Sequence, residues 1–495
     1  MAQTPPTALW LPVAVVIAAV LASLLADAVD RRRASVWLIG VGLGLGALLC
    51  LTLAPQASPP AVAGVLASGA GFTTLPGVGY TLAACAVLAG LERLVRRDRG
   101  AATAALIALG AVFSHALLAS ADMKVLFVAL AGVAAIAYAL IGGAGTRQAE
   151  EAAVRYFVQG AVVSGLTVYG LAVLFGLAGG ESGYSDAGTA LATQSGRSMV
   201  LALALVLSVF AFKLGAFPFH SWVPDAYGTG SASDVGFLAS TTKLAALVAL
   251  LGVVRSGLLG PSGSSAITGL LLLLALGSLL FGAFGMVRQR SVGRLLGYSA
   301  IAQAGYGLAA VASGSGALSA TVVFGLTYAL GVCAAFVTLE ALAHADPGWD
   351  GSLAGLAGLS RRAPAIALCL AVSMLSLTGI PLLAGFWGKY AVLVALVDAD
   401  LVWLAVVAGL AAVVSFAGYG AVIRWAFFET PVDSQVPSCD GVGDSERVVV
   451  GEAAEPAHGR TAEVIAVALT VAVVVLGCVP LVAGLEPVIS FFGLG

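Results

Sequence analysis

Apolar segments long enough to cross a bilayer follow one another along almost the whole chain. A helix needs about 20 predominantly apolar residues to cover ~30 Å of hydrocarbon. Fourteen segments meet this requirement, at residues 8–29, 35–54, 72–92, 101–119, 123–143, 152–178, 198–222, 233–255, 266–287, 293–313, 317–344, 363–395, 400–427 and 461–492. The sequence therefore predicts an all-α integral membrane protein with about 14 transmembrane helices in a lipid bilayer.

The charged fraction agrees with this fold class. Only 10% of the residues are charged and 60% are hydrophobic, whereas soluble globular chains contain about 25% charged residues. The formal net charge of -2 leaves no strongly basic surface, which argues against nucleic acid as a partner. The six cysteines are widely spaced without a CxxC pair, so we expect no metal site and no bound cofactor in this chain.

The arginines outside the apolar segments predict how the chain is oriented. Loops after odd-numbered segments hold 16 arginines, and loops after even-numbered segments hold 3 basic residues. Because basic residues accumulate in cytoplasmic loops, we expect both termini outside the cytoplasm and a cytoplasmic linker at 429–460. The N-terminus has no charged leader, so the first segment is expected to be a permanent span. The arginine-rich, alanine-rich usage favours a bacterial cytoplasmic membrane.

Four basic residues lie inside apolar segments. They are Lys213, Lys243, Lys389 and Arg155, and the chain has only four lysines in all. A charged amine at mid-membrane costs at least ~2.5 kcal/mol, so such residues usually face a hydrated cavity or mark an ion path. Lysine can release and take up a proton, which arginine cannot readily do. The alternative is that each lysine extends to an interface or pairs statically with a carboxylate.

Two of these lysines lie beside expected helix breaks. Pro218 follows Lys213 by five residues, and Pro381 with its neighbouring glycines precedes Lys389. Proline removes a backbone donor and clashes with the preceding turn. Interrupted spans at membrane depth occur where protein or water satisfies the freed backbone groups, and transporters place ion sites there. The breaks fall in the seventh and twelfth segments, a separation that suits an inverted repeat of five helices.

Further polar side chains share helical faces and are candidates to line a path between the lysines. Residues spaced by three or four positions face the same way. The sets are Ser299, Gln303 and Tyr306 in the tenth segment, Arg155 and Gln159 in the sixth, and Glu340 and His344 in the eleventh. The competing interpretation for each is a hydrogen bond between helices or an interfacial anchor.

Four stretches of the sequence resemble one membrane protein family. They are EAAVRYFVQG at 151–160, FKLGAFPFHSWVPDAYGTGSASDVGFLASTTK at 212–243, RLLGYSAIAQAGY at 294–306 and LTGIPLLAGFWGK at 377–389. In this order they resemble the antiporter-like subunits of respiratory complex I, the NADH:quinone oxidoreductase, and most closely its subunit N.

The resemblance implies a domain organisation. Helices 1–3 would occupy 1–100, one antiporter-like repeat (helices 4–8) would occupy 101–256, and an inverted second repeat (helices 9–13) would occupy 266–428. The linker at 429–460 would then lead to a C-terminal helix at 461–495.

The resemblance also implies proton translocation. Lys213 and Lys243 would serve one half-channel, Lys389 would be the terminal relay of the other, and His220 would help connect them. NADH, flavin, iron–sulfur clusters and quinone would belong to partner subunits. Other membrane subunits, including homologous antiporter-like ones, would be the partners.

Three positions depart from the family pattern. Ala131 stands where the fifth helix usually carries a buried glutamate, Arg155 stands for a lysine, and Gln303 stands for a frequent histidine. These changes leave open a subunit that conducts protons with altered coupling, or a degenerate scaffold subunit of complex I. A subunit of a multi-subunit cation/proton antiporter, which uses the same fold and much of the same signature, is a separate alternative.

Overall fold

The computed structural model describes residues 10–53, 71–192, 196–258, 265–430 and 460–483. Its helices are α1 (Leu11–Ala28), α2 (Arg32–Leu53), α3 (Gly71–Ala89), α4 (Leu91–Arg96), α5 (Gly100–Leu118), α6 (Met123–Gly142), α7 (Arg147–Leu177), α8 (Tyr184–Leu191), α9 (Arg197–Leu214), α10 (Trp222–Thr229), α11 (Ala232–Phe237), α12 (Lys243–Arg255), α13 (Ser265–Val287), α14 (Val292–Ala312), α15 (Ala317–Ala345), α16 (Leu359–Arg362), α17 (Pro364–Thr378), α18 (Ala384–Asp398), α19 (Val402–Phe427) and α20 (Arg460–Ala483). A π-helical turn, Leu238–Thr242, joins α11 to α12.

Within these residues, twelve helices are long and apolar enough to cross a membrane. Two shorter apolar helices, Thr74–Ala89 and Pro364–Thr378, lie where the third and twelfth segments were predicted. Every predicted segment thus contains a helix, and the prediction of an all-α membrane protein is confirmed. Most of the predicted linker at 429–460 and residues 484–495 of the predicted C-terminal helix lie outside the described residues.

Burial separates central helices from peripheral ones. In the apolar stretches of 232–255 and α14, 94% of the residues are buried, and in that of α15, 83% are buried. By contrast, α1 is 22% buried and α7 is 33% buried, and their exposed side chains are mainly large and apolar. An outward apolar surface of this kind suits lipid as the solvent. Lys243, Gln303 and Glu340 therefore lie on the three helices that are most enclosed by protein.

Both predicted helix interruptions are present, and they share one capping geometry. Gly215 directly follows α9 and has φ +71°, and Gly379 directly follows α17 and has φ +92°. In each case the next residue donates its backbone N–H to the carbonyl five positions back, from Ala216 to Ala211 and from Ile380 to Leu375. This is the Schellman motif, in which glycine accepts the left-handed conformation at low cost. Pro218 and Pro381 then lie in the non-helical connections to α10 and α18.

The Gly379 cap can be tested against a matched glycine. Gly379→Ala places a Cβ 3.0 Å from Cδ of Lys389. By contrast, a Cβ added to Gly351, which has φ +79°, would have nothing within 4 Å. Both alanines incur the left-handed strain of ~1–2 kcal/mol. We expect Gly379→Ala to lower the thermal unfolding midpoint more than Gly351→Ala in detergent. Equal losses would contradict the tight packing of Lys389 against the cap.

Candidate functional site

Lys213 and Lys243 both border the first helix interruption. Lys213 lies in the last turn of α9 and Lys243 follows the π-helical turn, and they are 3% and 4% exposed. A Cβ built on Gly215 would lie 3.5 Å from Nζ of Lys243, so this amine lies against the break that follows Lys213. π-helical turns often occur at functional sites. Tertiary packing thus brings Lys243 to the break that follows Lys213, although the two lysines are 30 positions apart in sequence.

Neither of these two amines is neutralised by a carboxylate. Among the described residues, no Asp or Glu lies within 4.0 Å of Lys213, Lys243 or Lys389. Nζ of Lys213 and Nζ of Lys243 also have no hydrogen-bond partner there. Nζ of Lys243 lies 5.3 Å from the ring centroid of Tyr227, whose π face attracts a cation. Static pairing with an acid is therefore not the arrangement of these lysines.

Lys389 lies at the second interruption and uses the carbonyls that the break sets free. Its Nζ donates a hydrogen bond of 2.9 Å to the Thr378 carbonyl and lies 4.8 Å from the ring centroid of Tyr306. Nε2 of Gln303 donates to the Leu377 carbonyl at 3.0 Å. The last carbonyls of a helix lack intrahelical partners. The end of α17 therefore provides the acceptors that hold Lys389 and Gln303.

Two small cavities lie between the lysines. One is lined by Lys243 and the other by Lys389, and each has a volume of about 10 Å³ that a water molecule can enter. That is about the smallest volume that holds one water molecule. Gln303, Phe324 and Tyr328 line both cavities. These three residues therefore form the part of the lining that the two cavities share.

The predicted polar face of α14 points largely towards α19. Ser299 Oγ and Tyr419 Oη are 2.6 Å apart, and Nε2 of Gln303 donates to Tyr419 Oη at 3.3 Å. Oη of Tyr306 donates to the Ala408 carbonyl at 2.5 Å. These are hydrogen bonds between helices, the competing interpretation given above. Gln303 also lines the cavity beside Lys389, and the Tyr306 ring faces the Lys389 amine. Both residues therefore pack between helices and also belong to the candidate site.

His220 and Gln159 lie on the outer side of the first interruption. His220 is half-buried, with ring centroids of Phe217 and Phe281 at 5.8 and 5.1 Å. Gln159 donates from Nε2 to Ser221 Oγ at 2.8 Å and so joins α7 to this connection.

Arg155 lies apart from the buried amines. Its side chain is 69% exposed and pairs with Asp225 at 3.2 Å. Asp225 also pairs with Arg294 at 2.6 Å. Exposed ion pairs contribute about 0–1 kcal/mol, so the geometry gives Arg155 a surface contact.

Glu340 belongs to a buried ion cluster that includes two residues missed by the sequence analysis. Arg93 donates from Nε to Glu340 at 3.0 Å and from Nη2 to Asp234 at 2.7 Å. The backbone N–H of Ser233 donates to Glu340 at 2.9 Å. Asp234 and Glu340 side chains are 1% and 4% exposed. The sequence places Arg93 in a loop and gives no sign of its burial. Asp234, however, is the lone acid inside the apolar segment 233–255, and an acid in such a place indicates a buried partner.

The described residues contain no group of three or more His, Cys, Asp or Glu side chains placed to hold a metal ion. The polar groups of the site are amines, hydroxyls, one amide and backbone carbonyls. Among these groups the hydroxyls can both donate and accept a hydrogen bond, and lysine is the member whose charge can change. The arrangement therefore suits proton transfer through a protein interior.

The fold is that of a polytopic, antiporter-like membrane protein. The family described as NADH:quinone oxidoreductase/Mrp antiporter, TM matches residues 120–415. NADH-quinone oxidoreductase subunit N of Sphingopyxis alaskensis is 33% identical over 333 residues, 67% of this chain and 69% of that protein. The chain therefore belongs to the NADH:quinone oxidoreductase/Mrp antiporter transmembrane family, and the resemblance seen in the sequence is confirmed.

Solved structures agree with this assignment. A chain of respiratory complex I from Thermus thermophilus is 28% identical, with a TM-score of 0.75, covering 96% of this chain and 99% of that one. A chain of the Mrp complex from Dietzia sp. has a TM-score of 0.79 at 20% identity, covering 99% of this chain and 97% of that one. The second likeness shows the shared fold alone.

The Arg93 cluster gives a stability test. Arg93→Met leaves two buried carboxylates unpaired, a change that typically costs ~3–5 kcal/mol. Arg32→Met is the matched control, because Arg32 pairs with Asp98 at side-chain exposures of 41% and 92%, where loss costs about 0–1 kcal/mol. Thermal unfolding in detergent should show a large loss for Arg93→Met and little for Arg32→Met. Similar midpoints would mean that the cluster does not stabilise the bundle.

Proposed function

We propose that this chain is the subunit of an NADH:quinone oxidoreductase that carries protons, and that the protons pass by way of Lys213, Lys243 and Lys389. The observation that supports this most directly is the placement of three buried lysines, none within 4.0 Å of a described carboxylate, at two interrupted helices. A scaffold role would not require amines at these positions, because apolar residues would pack there at lower cost.

Each lysine acts as a group that changes charge. Nζ of Lys213 and Nζ of Lys243 have no hydrogen-bond acceptor among the described residues, so no such contact holds either amine in its charged form. Lys389 donates to the Thr378 carbonyl and faces the Tyr306 ring, two contacts that favour a cation. A proton therefore moves in steps between sites whose preference for the charged amine differs.

The driving energy comes from partner subunits. NADH, flavin, iron–sulfur clusters and quinone belong to those subunits, and this chain serves as a non-catalytic channel. Neighbouring membrane subunits, including homologous antiporter-like ones, transmit the redox event as a change in field or hydration. The assembly lies in the bacterial cytoplasmic membrane with both termini of this chain outside, as the arginine distribution indicates.

The half around Lys213 is the more demanding part of this proposal. Ala131 occupies the position of the usual glutamate, and Lys213 has no described carboxylate within 4.0 Å. The degenerate scaffold is the alternative for this half.

Lysine substitutions test the proton path. In cells carrying only the variant gene, Lys243→Ala and Lys389→Ala should slow proton passage through this chain at least about tenfold, so the proton-to-electron ratio of the whole complex should fall by the share that this chain carries. Lys243→Arg keeps the charge but cannot readily release a proton, so it should fail as well. The measurement is the proton-to-electron ratio of inverted membrane vesicles, with assembly of the complex checked by native electrophoresis.

Lys124→Ala is the matched control, because Lys124 is exposed at the start of α6 and should leave the ratio unchanged. Full transport by Lys243→Arg would favour a static structural charge. An unchanged ratio for Lys213→Ala would remove the Lys213 half from the path.

A cation/proton antiporter subunit is the second candidate, because the Mrp chain from Dietzia sp. shares the fold. A deletion strain separates the two functions. We expect loss of NADH-driven quinone reduction with normal tolerance of sodium and alkali. Intact respiration with sodium sensitivity would support the antiporter instead.

A further inference from the structure

Tyr328 occupies the wall between the two lysine cavities. It lies on α15 and lines both the cavity beside Lys243 and the cavity beside Lys389. The residue is 8% exposed, and its hydroxyl is buried without a hydrogen-bond partner among the described residues. A buried hydroxyl left unsatisfied costs about 1–3 kcal/mol. Packing alone would be served as well by phenylalanine, so this hydroxyl calls for another explanation.

The other two shared residues cannot carry a proton between the cavities. Phe324 has no polar atom. Gln303 is an amide, and both N–H groups of its Nε2 are committed, one to the Leu377 carbonyl at 3.0 Å and one to Tyr419 Oη at 3.3 Å. A neutral carboxamide does not gain or lose protons readily. Of the three residues common to both cavities, Tyr328 alone has a free group that both donates and accepts.

The surroundings hold the Tyr328 ring in place. The ring stacks on Phe324 with an interplanar angle of 4° and a centroid distance of 6.1 Å. Phe324 in turn stacks on Tyr306 at 6.0 Å, and Nζ of Lys389 lies 4.8 Å from the Tyr306 centroid. This aromatic row fixes the ring while the hydroxyl hydrogen is free to rotate about the C–O bond. A fixed oxygen with a rotating hydrogen is the geometry that a proton relay needs.

We propose that the Tyr328 hydroxyl relays protons between Lys243 and Lys389, each cavity holding about one water molecule. Oη accepts a proton that originates from the Lys243 ammonium, while its own hydrogen leaves towards the Lys389 amine. One O–H bond forms as another breaks, Lys243 becomes neutral and Lys389 becomes charged. Rotation of the hydroxyl then restores the starting state. The inference rests on the proposed proton path and specifies how its two halves connect.

Tyr328→Phe is the direct test, because it keeps the stacked ring and removes only the hydroxyl. Proton passage through this chain should slow at least about tenfold, so the proton-to-electron ratio of inverted vesicles should fall by the share that this chain carries, with the complex assembled. Tyr184→Phe is the matched control, since Tyr184 is also buried and its hydroxyl lies 3.2 Å from Ser120 Oγ, and Tyr184 lines neither of the two cavities. It should leave the ratio unchanged.

A second substitution guards against an indirect effect. Position 303 lines both cavities, and an imidazole there can accept a proton on one nitrogen while it donates from the other. Gln303→His should therefore restore transport in the Tyr328→Phe background. A normal ratio for Tyr328→Phe, or no restoration by Gln303→His, would overturn the relay. If Lys243→Arg and Lys389→Ala also kept a normal ratio, the proton path itself would fail.

Discussion

The need to satisfy backbone hydrogen bonds inside a membrane governs the arrangement of this protein. At the two interruptions, where α9 and α17 end, the last carbonyls have no helical partners. An unsatisfied carbonyl in hydrocarbon is costly. Side chains from elsewhere supply the donors. Trp222 donates at 3.2 Å to the Phe212 carbonyl, which also accepts the Gly215 backbone N–H, and Lys389 donates to the Thr378 carbonyl at 2.9 Å. The interruptions are stable because other helices complete them, and this draws polar groups into the centre of the bundle.

Buried charges are treated in two opposite ways in the same interior. Arg93 holds the carboxylates of Asp234 and Glu340 in short ion pairs, an arrangement that fixes charge. The three lysines have no such partner in the described part of the chain. A carboxylate beside an amine would favour one protonation state strongly. Keeping the acids with Arg93 therefore leaves the amines without a fixed counter-charge, which is the property that the proposed proton transfer requires.

The fold was largely readable from the sequence, and the site only in part. Hydropathy located every long apolar helix in the described part of the chain but not short ones such as α8, and glycine with proline marked both interruptions. The same reading assigned Arg93 to a loop and grouped Arg155 with the lysines, although Arg155 is 69% exposed. Hydropathy records the average cost of a segment in lipid. It does not record which face of a helix meets which neighbour, so it cannot separate a buried arginine from an exposed one.

The sequence by itself determined membrane residence, helix order, the two breaks and the presence of lysines inside apolar spans, because each depends on local residue chemistry. Only the tertiary structure decided which groups meet. Arg93 reaches partners 141 and 247 positions away, and Lys243 reaches the break after Lys213. The free hydroxyl of Tyr328 is likewise invisible in an apolar segment. Contacts of this range follow from the packing of whole helices, in which interhelical hydrogen bonds and close approach are set by the bundle as a unit.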